Sequence, residues 1–344
     1  MTLSIEQLRR CTVAVDLGTS RTRVHLRGAG LVVDQPSVVA IDVRTGGLMA
    51  VGGPAERMEG RTPRYIRVAR PINAGSVVDI EMAQRMLRAM LGKRLRGSWR
   101  RRPTLRMAAC VPSDADPLTQ RATVETLAGL GARRVELVDT LVAAAVGCGL
   151  PVQQAEATMI AVCGASTTQV AVLSMGSVVA AEKAPVGGDS IDQAVVQRIR
   201  QQQGVRLRNQ LVRPVRLNLG RGGDGPTARD TEVIGRDVAT GRARSVRVSA
   251  DDVQAAIQAP LAALLEAIRE VLHACPPDLV GDLVERGMVL TGGSARLPGL
   301  DTMIARATGM RVTVAENPDL CPVTGLGAML EGAVEPVRLD PLAS

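Results

Sequence analysis

There is no phenylalanine in this chain of 344 residues, and aromatics otherwise amount to Tyr65 and Trp99. With 46% apolar residues, its cores must be aliphatic. Histidine is nearly absent, at His25 and His273, and the six cysteines (Cys11, Cys110, Cys148, Cys163, Cys275, Cys321) contain no C-x-x-C. That scatter argues against a zinc site or a disulfide framework, and for reduced, mostly buried thiols in a cytoplasmic protein. No stretch approaches the ~20 apolar residues of a membrane-spanning helix. The opening MTLSIEQLRR leads into an apolar run that Asp16 interrupts too early for a signal peptide.

Acids are missing from two long stretches. KRLRGSWRRRPTLR (93–106) and RIRQQQGVRLRNQLVRPVRLNLGR (198–221) each hold seven cations and no carboxylate. Together they exceed the net charge of +8, so the remainder of the chain is mildly acidic. Basic surfaces on such a body point to an anionic partner at particular places, or to plain solvated faces.

What is present is a repeated shape. VAVDLGTSRTRVHL (13–26) and MIAVCGASTTQVAVL (159–173) each read as a strand, a small-residue turn and a second strand. Without gaps, Gly18 meets Gly164, Ser20 meets Ser166, Thr22 meets Thr168 and Val24 meets Val170, whereas Asp16 meets Val162. Copies 146 residues apart suit a duplicated domain rather than a solenoid. Between them come short strands (GLVVDQPSVVAID, GLMAVGGPA) and an amphipathic helix with Met82, Met86 and Met90 in its core stripe. A strand, a helix opened by Asp116-Pro117, the strand RRVELVD and a small-residue helix follow. After the second copy come APVGGDSIDQAVVQRIRQ, with Asp189 near a helix start, small strands over 204–248, and one long helix capped by Ser249. GMVLTGGSARLPGL then supplies a strand and a third glycine turn.

Glycine turns expose backbone N–H groups with no Cβ in the way, which is how a loop grips phosphate. Three of them at strand ends, two in a duplicated frame, resemble the actin-like ATPase superfamily. Within it the chain resembles the MreB family of bacterial shape-determining actins, through VAVDLGTSRT, DQPSVVAID, ARPINAGSVVDIEMAQRML, APVGGDSIDQAVV, GMVLTGGSARLPGLD and NPDLCPVTGLGAMLE. The resemblance implies an α/β actin-like fold of duplicated ribonuclease-H-like domains, each with a small inserted subdomain, and a nucleotide cleft between them. Domain I would span 1–155 with its subdomain at about 35–65. Domain II would span 156–320 with its subdomain at about 190–248, and 321–344 would return to domain I.

The resemblance also implies ATP, with Mg²⁺, as ligand. Gly18, Thr19, Ser20 and Arg21 stand in the first phosphate loop, where the family usually has Asn in place of Arg21. Gly164, Ala165 and Ser166 stand where the family has three glycines. Gly292, Gly293, Ser294 and Ala295 stand in the adenosine turn, and Arg213 and Arg216 near the ribose. Asp16 corresponds to the acid that holds the metal through water. Two acids of the family are replaced: one by Val162, and the water-positioning glutamate by Thr140, with Asp139 one residue earlier as a partial substitute. Losing both positioning groups should cost several powers of ten in hydrolysis, since a single catalytic base contributes ~10²–10⁴.

Trp99, flanked by Arg100, Arg101 and Arg102, lies in a loop that resembles the family's membrane-inserting element, which implies a cytoplasmic protein associated with the inner membrane surface. The function so implied is a filament subunit that assembles with itself and serves cell shape or the cell-wall synthesis machinery. A degenerate paralogue that regulates or co-assembles with a competent partner is the alternative. A kinase on the same fold would need a catalytic carboxylate and larger insertions, and a chaperone-like ATPase an additional substrate domain, neither of which is expected here. A DNA-associated actin would put the arginine clusters on phosphates, but the motifs favour the shape-determining branch, so nucleic acid is not an expected partner.

Overall fold

The computed structural model describes residues 8–99, 105–208, 211–213 and 230–333, with the side chains of 93–99 outside the description. The chain divides into two compact units, Met1–Thr158 with Leu173–Val179 and Leu320–Ser344, and Met159–Val172 with Ala180–Asp319.

The first unit is built on β1 (Val13–Leu17), β2 (Arg21–Leu26) and β3 (Gly30–Pro36). A small sheet follows from β4 (Val39–Asp42), β5 (Gly47–Val51) and β6 (Ile66–Ala69), with α1 (Gly53–Met58) packed through Ala55 on Val38 and Ala40. After the β7 (Ile72–Asn73) and β8 (Ser76–Val77) ribbon come α2 (Ile80–Trp99), β9 (Arg106–Val111), α3 (Pro117–Ala128), β10 (Arg134–Asp139) and α4 (Thr140–Gly147). The large sheet runs β10-β9-β1-β2-β3, with β1 antiparallel to β2 and parallel to β9.

Period-2 alternation sorts β1 onto two cores. Val13, Val15 and Leu17 join Met82, Met86 and Leu87 of α2 and Leu127 of α3 on one face. Ala14 joins Ala108, Cys110 and Val138 on the other. The methionine stripe is thus core, with Met86 fully buried and Met90 packed against the same cluster. Truncating a residue such as Met86 to alanine costs about 2–5 kcal/mol. Helix α2 is interrupted at Gly92 (φ 44, ψ −131), a conformation that L side chains rarely adopt.

The second unit repeats the plan. Strands β11 (Thr158–Cys163), β12 (Thr168–Ser174) and β13 (Ser177–Ala184) lead to α5 (Gly188–Gln203). Strands β14 (Val205–Arg206), β15 (Asp230–Asp237) and β16 (Ala243–Ser249) form a small sheet. Next come α6 (Ala250–Ala256), α7 (Gln258–Ala274), α8 (Pro277–Arg286), β17 (Met288–Thr291), α9 (Leu300–Thr308) and β18 (Val312–Val314). The large sheet runs β13-β12-β11-β17-β18. Strand for strand this is the order of the first sheet, and β11–β17 and β17–β18 are parallel as β1–β9 and β9–β10 are.

The expected long helix after Ser249 is instead two. Ser249 does cap α6, in a reciprocal pairing with Asp252, but the run breaks at Ile257 before α7 begins. Pro260 supplies the reason: it has no N–H to continue the ladder to Ala256 and its ring crowds that carbonyl. Helix α7 then buries Leu261, Leu264, Ala267, Ile268 and Val271 at helical spacing.

The last helix, α10 (Cys321–Glu331), belongs to the first unit. It places Leu326, Met329 and Leu330 on the Ala14 face, against α4. The two helices meet at glycines: a Cβ on Gly325 would lie 1.8 Å from the Ala143 carbonyl, and one on Gly147 1.9 Å from that of Cys321.

Candidate functional site

The first glycine turn joins β1 to β2. A Cβ on Gly18 would stand 2.7 Å from the carbonyl oxygen of Arg21, so this turn closes only around glycine. Its carbonyls are held from behind: Ser37 Oγ donates to Gly18 O at 2.6 Å and Ser37 N to Ser20 O at 2.9 Å. Thr22 and Ser37 share a hydroxyl bond of 2.8 Å, and Gly75 N donates to Thr19 Oγ1 at 3.1 Å.

The second turn, between β11 and β12, repeats the close approach: a Cβ on Gly164 would lie 2.8 Å from Thr167 O. Gly18 with Arg21 and Gly164 with Thr167 are the same pair in the duplicated frame. The start of α5 braces this turn, Gly188 N donating to Gly164 O (3.1 Å) and Asp189 N to Ala165 O (2.8 Å). Ser166 Oγ lies 3.4 Å from Asp189 Oδ2. Neither Ala165 nor Ser166 has a positive φ, so the turn does not need glycine at those two positions. Gly187 is needed, because its Cβ would fall 2.3 Å from Ala165 O.

The third turn follows β17 and winds into a short 3₁₀ segment, Gly293–Arg296. Gly292 has φ 88, and a Cβ there would meet Cys163 O at 2.3 Å, whereas Gly293 faces open space. Ser294 Oγ donates to Gly164 O at 2.7 Å, tying this turn to the second. Ala295 is buried.

The acidic positions are differently used. Val162 is buried on β11, opposite Thr291. The Asp139 carboxylate caps α4 by accepting from Leu141 N at 2.7 Å, and burial pushes its pKa up despite a hydrogen bond with Ser113. Thr140 Oγ1 donates to Val111 O at 2.8 Å. Both groups are therefore committed to the backbone around α4.

Asp16 is buried and faces a cation on the next strand, Arg23 Nη1 standing 3.7 Å from Asp16 Oδ2. Burial pushes the Asp16 carboxyl above its ordinary value, and the nearby Arg23 guanidinium offsets only part of that rise. Arg23 Nε lies 3.2 Å from Asp34 Oδ1 on β3. Arg21 Nε donates to that same oxygen at 2.6 Å, and its Nη2 to the Asp34 carbonyl at 2.9 Å. Arg23 and Asp34 were not among the residues picked from the sequence. Their signal was there: counting outward from the 18–21 turn puts Asp16 opposite Arg23.

This donor set does not fit a firmly held divalent cation. Mg²⁺ needs one or two carboxylates free to order its water shell. Asp16 is instead paired with a guanidinium, and Val162 offers no donor. Among the described residues no three His, Cys, Asp or Glu side chains gather into a metal-holding group.

Arg213 is exposed and Arg216 lies outside the described residues. Trp99 ends α2, its side chain beyond the description, and Arg100, Arg101 and Arg102 lie outside it. Among the described residues no helix is long and apolar enough to cross a membrane.

Comparison with known proteins agrees with this architecture. The family model of MreB/Mbl proteins matches residues 10–337. The cell shape-determining protein MreB of Escherichia coli K12 is 37% identical over 323 residues, covering 93% of either chain. The cell shape-determining protein Mbl of Bacillus cereus is 34% identical, covering 93% of this chain and 95% of that one. Among solved structures, MreB 5 of Spiroplasma citri bound to AMPPNP superposes with a TM-score of 0.88 at 23% identity, over 93% of this chain and 96% of that one. A MamK double helical filament reaches 0.74 at 19% identity, over 94% and 99%. The fold is thus actin-like α/β, duplicated as the two sheet orders require, and the chain belongs to the MreB/Mbl family.

Proposed function

We propose that this chain is the subunit of a cytoskeletal filament that binds adenine nucleotide on its glycine turns and serves cell shape or cell-wall synthesis, with slow or no hydrolysis. The observation that carries the reading is the matched pair of closures, Gly18 on Arg21 and Gly164 on Thr167, with Ser294 bonded to the second. Turns that admit no Cβ at the bend leave backbone amides open to anions. In support, the E. coli relative is named as cell shape-determining, the S. citri neighbour is solved with AMPPNP and with ADP, and the MamK neighbour is a filament.

Slow turnover follows from the committed groups. Phosphoryl transfer to water needs a positioned nucleophile. Thr140 and Asp139 spend their side chains on Val111 and Leu141, and Val162 carries no charge. The reading as a paralogue that does not polymerise is not favoured, because the chain covers 93% of its E. coli relative and keeps all three turns.

Association with the inner membrane surface rests on Trp99 and Arg100–Arg102, an indole among cations suited to an anionic bilayer interface. The test is electron microscopy of the purified chain with ATP and anionic vesicles. Filaments lying on the vesicles are expected, and their replacement by scattered monomers at every protein concentration would sink the reading. Vesicle co-sedimentation of wild type and Trp99→Ala separates the membrane part, since equal sedimentation would remove Trp99 from it.

A further inference from the structure

The register of the first sheet puts charge where a sheet interior ordinarily has none. Asp16 on β1, Arg23 on β2 and Asp34 on β3 stand directly opposite one another across three strands. Arg23 and Asp16 are buried. Buried charges persist where they compensate one another, and a buried pair has no general stability advantage over packed apolar groups. In the duplicated frame the positions of Asp16 and Arg23 are Val162 and Gln169, so the second hairpin lacks the acid and the cation together.

The row does not end at Asp34. Its Oδ1 is shared by Arg23 Nε at 3.2 Å and Arg21 Nε at 2.6 Å, and Arg21 is the residue at which the glycine turn closes. Two guanidinium groups therefore sit on two carboxylates, beside a turn suited to phosphate. Arg23 holds the carboxylate that would otherwise order a metal's water shell. Arg21, a third exposed and sharing its partner oxygen, keeps donors for an incoming anion.

We infer that the phosphate site carries its own cation: Arg23, supported by Arg21, takes the place of a divalent metal beside Asp16, and the site accepts a nucleoside di- or triphosphate free of divalent ion. This deepens the nucleotide-binding reading above and rests on it. Arg23 compensates the Asp16 charge where a metal otherwise would, and the donors that Arg21 has left meet the phosphate; neither guanidinium can be removed by chelation.

The test is a titration of the full chain with ATP, once in magnesium and once in EDTA. For wild type the two dissociation constants should agree within about threefold. Arg23→Leu should bind in magnesium and lose about tenfold or more in EDTA, while Arg23→Lys, which keeps the charge but not the bridge to both carboxylates, should fall between it and wild type. Because Arg23 is buried, circular dichroism melts check that the variants fold, and the wild-type comparison decides without them. Wild-type binding that collapses in EDTA would overturn the inference and leave the nucleotide reading standing. Binding in neither condition would overturn both.

Discussion

Ser294 gives its hydroxyl proton to the carbonyl of Gly164 at 2.7 Å, a bond between the third glycine turn and the second. Gly164 O accepts from Gly188 N as well, at 3.1 Å, so that one oxygen gathers the hairpin, the start of α5 and the 3₁₀ turn. Removing the hydroxyl leaves the oxygen with one donor and frees the third turn to drift. Ser294→Ala should lower stability by about 1 kcal/mol, the net worth of one such bond. It should also weaken adenine nucleotide binding several-fold while leaving inorganic triphosphate binding near wild type. Thermal melts and parallel titrations with ATP and tripolyphosphate measure this, and equal losses for both ligands would contradict it.

Among Gly18, Gly164, Gly292 and Gly293, the fold needs three and not the fourth. Gly18→Ala and Gly164→Ala bring a Cβ to 2.7 and 2.8 Å of a backbone oxygen, and each should cost about 1–3 kcal/mol through displaced backbone. Gly292→Ala combines a 2.3 Å clash with φ 88, so its cost should be the largest of the set. Gly293→Ala meets nothing within 4 Å and should stay within about 0.5 kcal/mol of wild type. If a ligand fills the space beside Gly293, its affinity should nonetheless fall. Urea unfolding of the four variants orders them, and Gly293→Ala ranking with the others would refute the geometry.

Much of this was legible in the residues themselves. Gly18 and Gly164 fell in register because each closes a turn between two alternating strands, a local pattern that one copy teaches for the other. The resemblance carried the turn over Gly292–Ala295 to its place. Three matters were harder. The break at Ile257 depends on whether one proline, Pro260, merely bends a helix or ends it, and the ladder bond it cannot make to Ala256 ends α6 there. The Asp16–Arg23–Asp34 row needs the register of three strands at once, and reading each strand only for alternation passes over it. The glycine contacts of α4 with α10 join residues nearly 180 apart, which no local period reports.

Asp139 offers a pH test. Burial raises its pKa in the folded chain, so the fold favours the protonated form. Its contribution to stability is present in acid and is lost as pH rises through the raised value, above which the wild type bears the full cost of the buried charge. Asn caps helices as well as Asp does. Asp139→Asn should therefore equal or exceed wild type in stability at neutral pH, and the difference should shrink as the solution is acidified. Carboxylates such as Asp116, held low by the Thr119 N–H, lose their contribution in acid in both proteins and cancel from the comparison. Urea unfolding across the range measures the difference, and a gap that widens toward acid would reverse the sign argued here.

Thr140 is where a catalytic side chain can be put back. It is the first residue of α4, directly after the Asp139 cap, and a carboxylate in a first helical turn gains about 0.3–1 kcal/mol from the helix dipole. That gain offsets most of the lost Thr140–Val111 hydrogen bond, worth about 1 kcal/mol, so Thr140→Glu should fold. On the function proposed above, the new carboxylate would stand in the water-positioning place. A positioned base contributes ~10²–10⁴, and an unoptimised one should still raise phosphate release by about tenfold over wild type. Thr140→Met has a similar length with no group to hold a water and should remain at the wild-type rate. Single-turnover release of radiolabelled phosphate distinguishes them: if methionine accelerates the reaction as much as glutamate, the effect is one of packing at α4 and the catalytic assignment of this position fails.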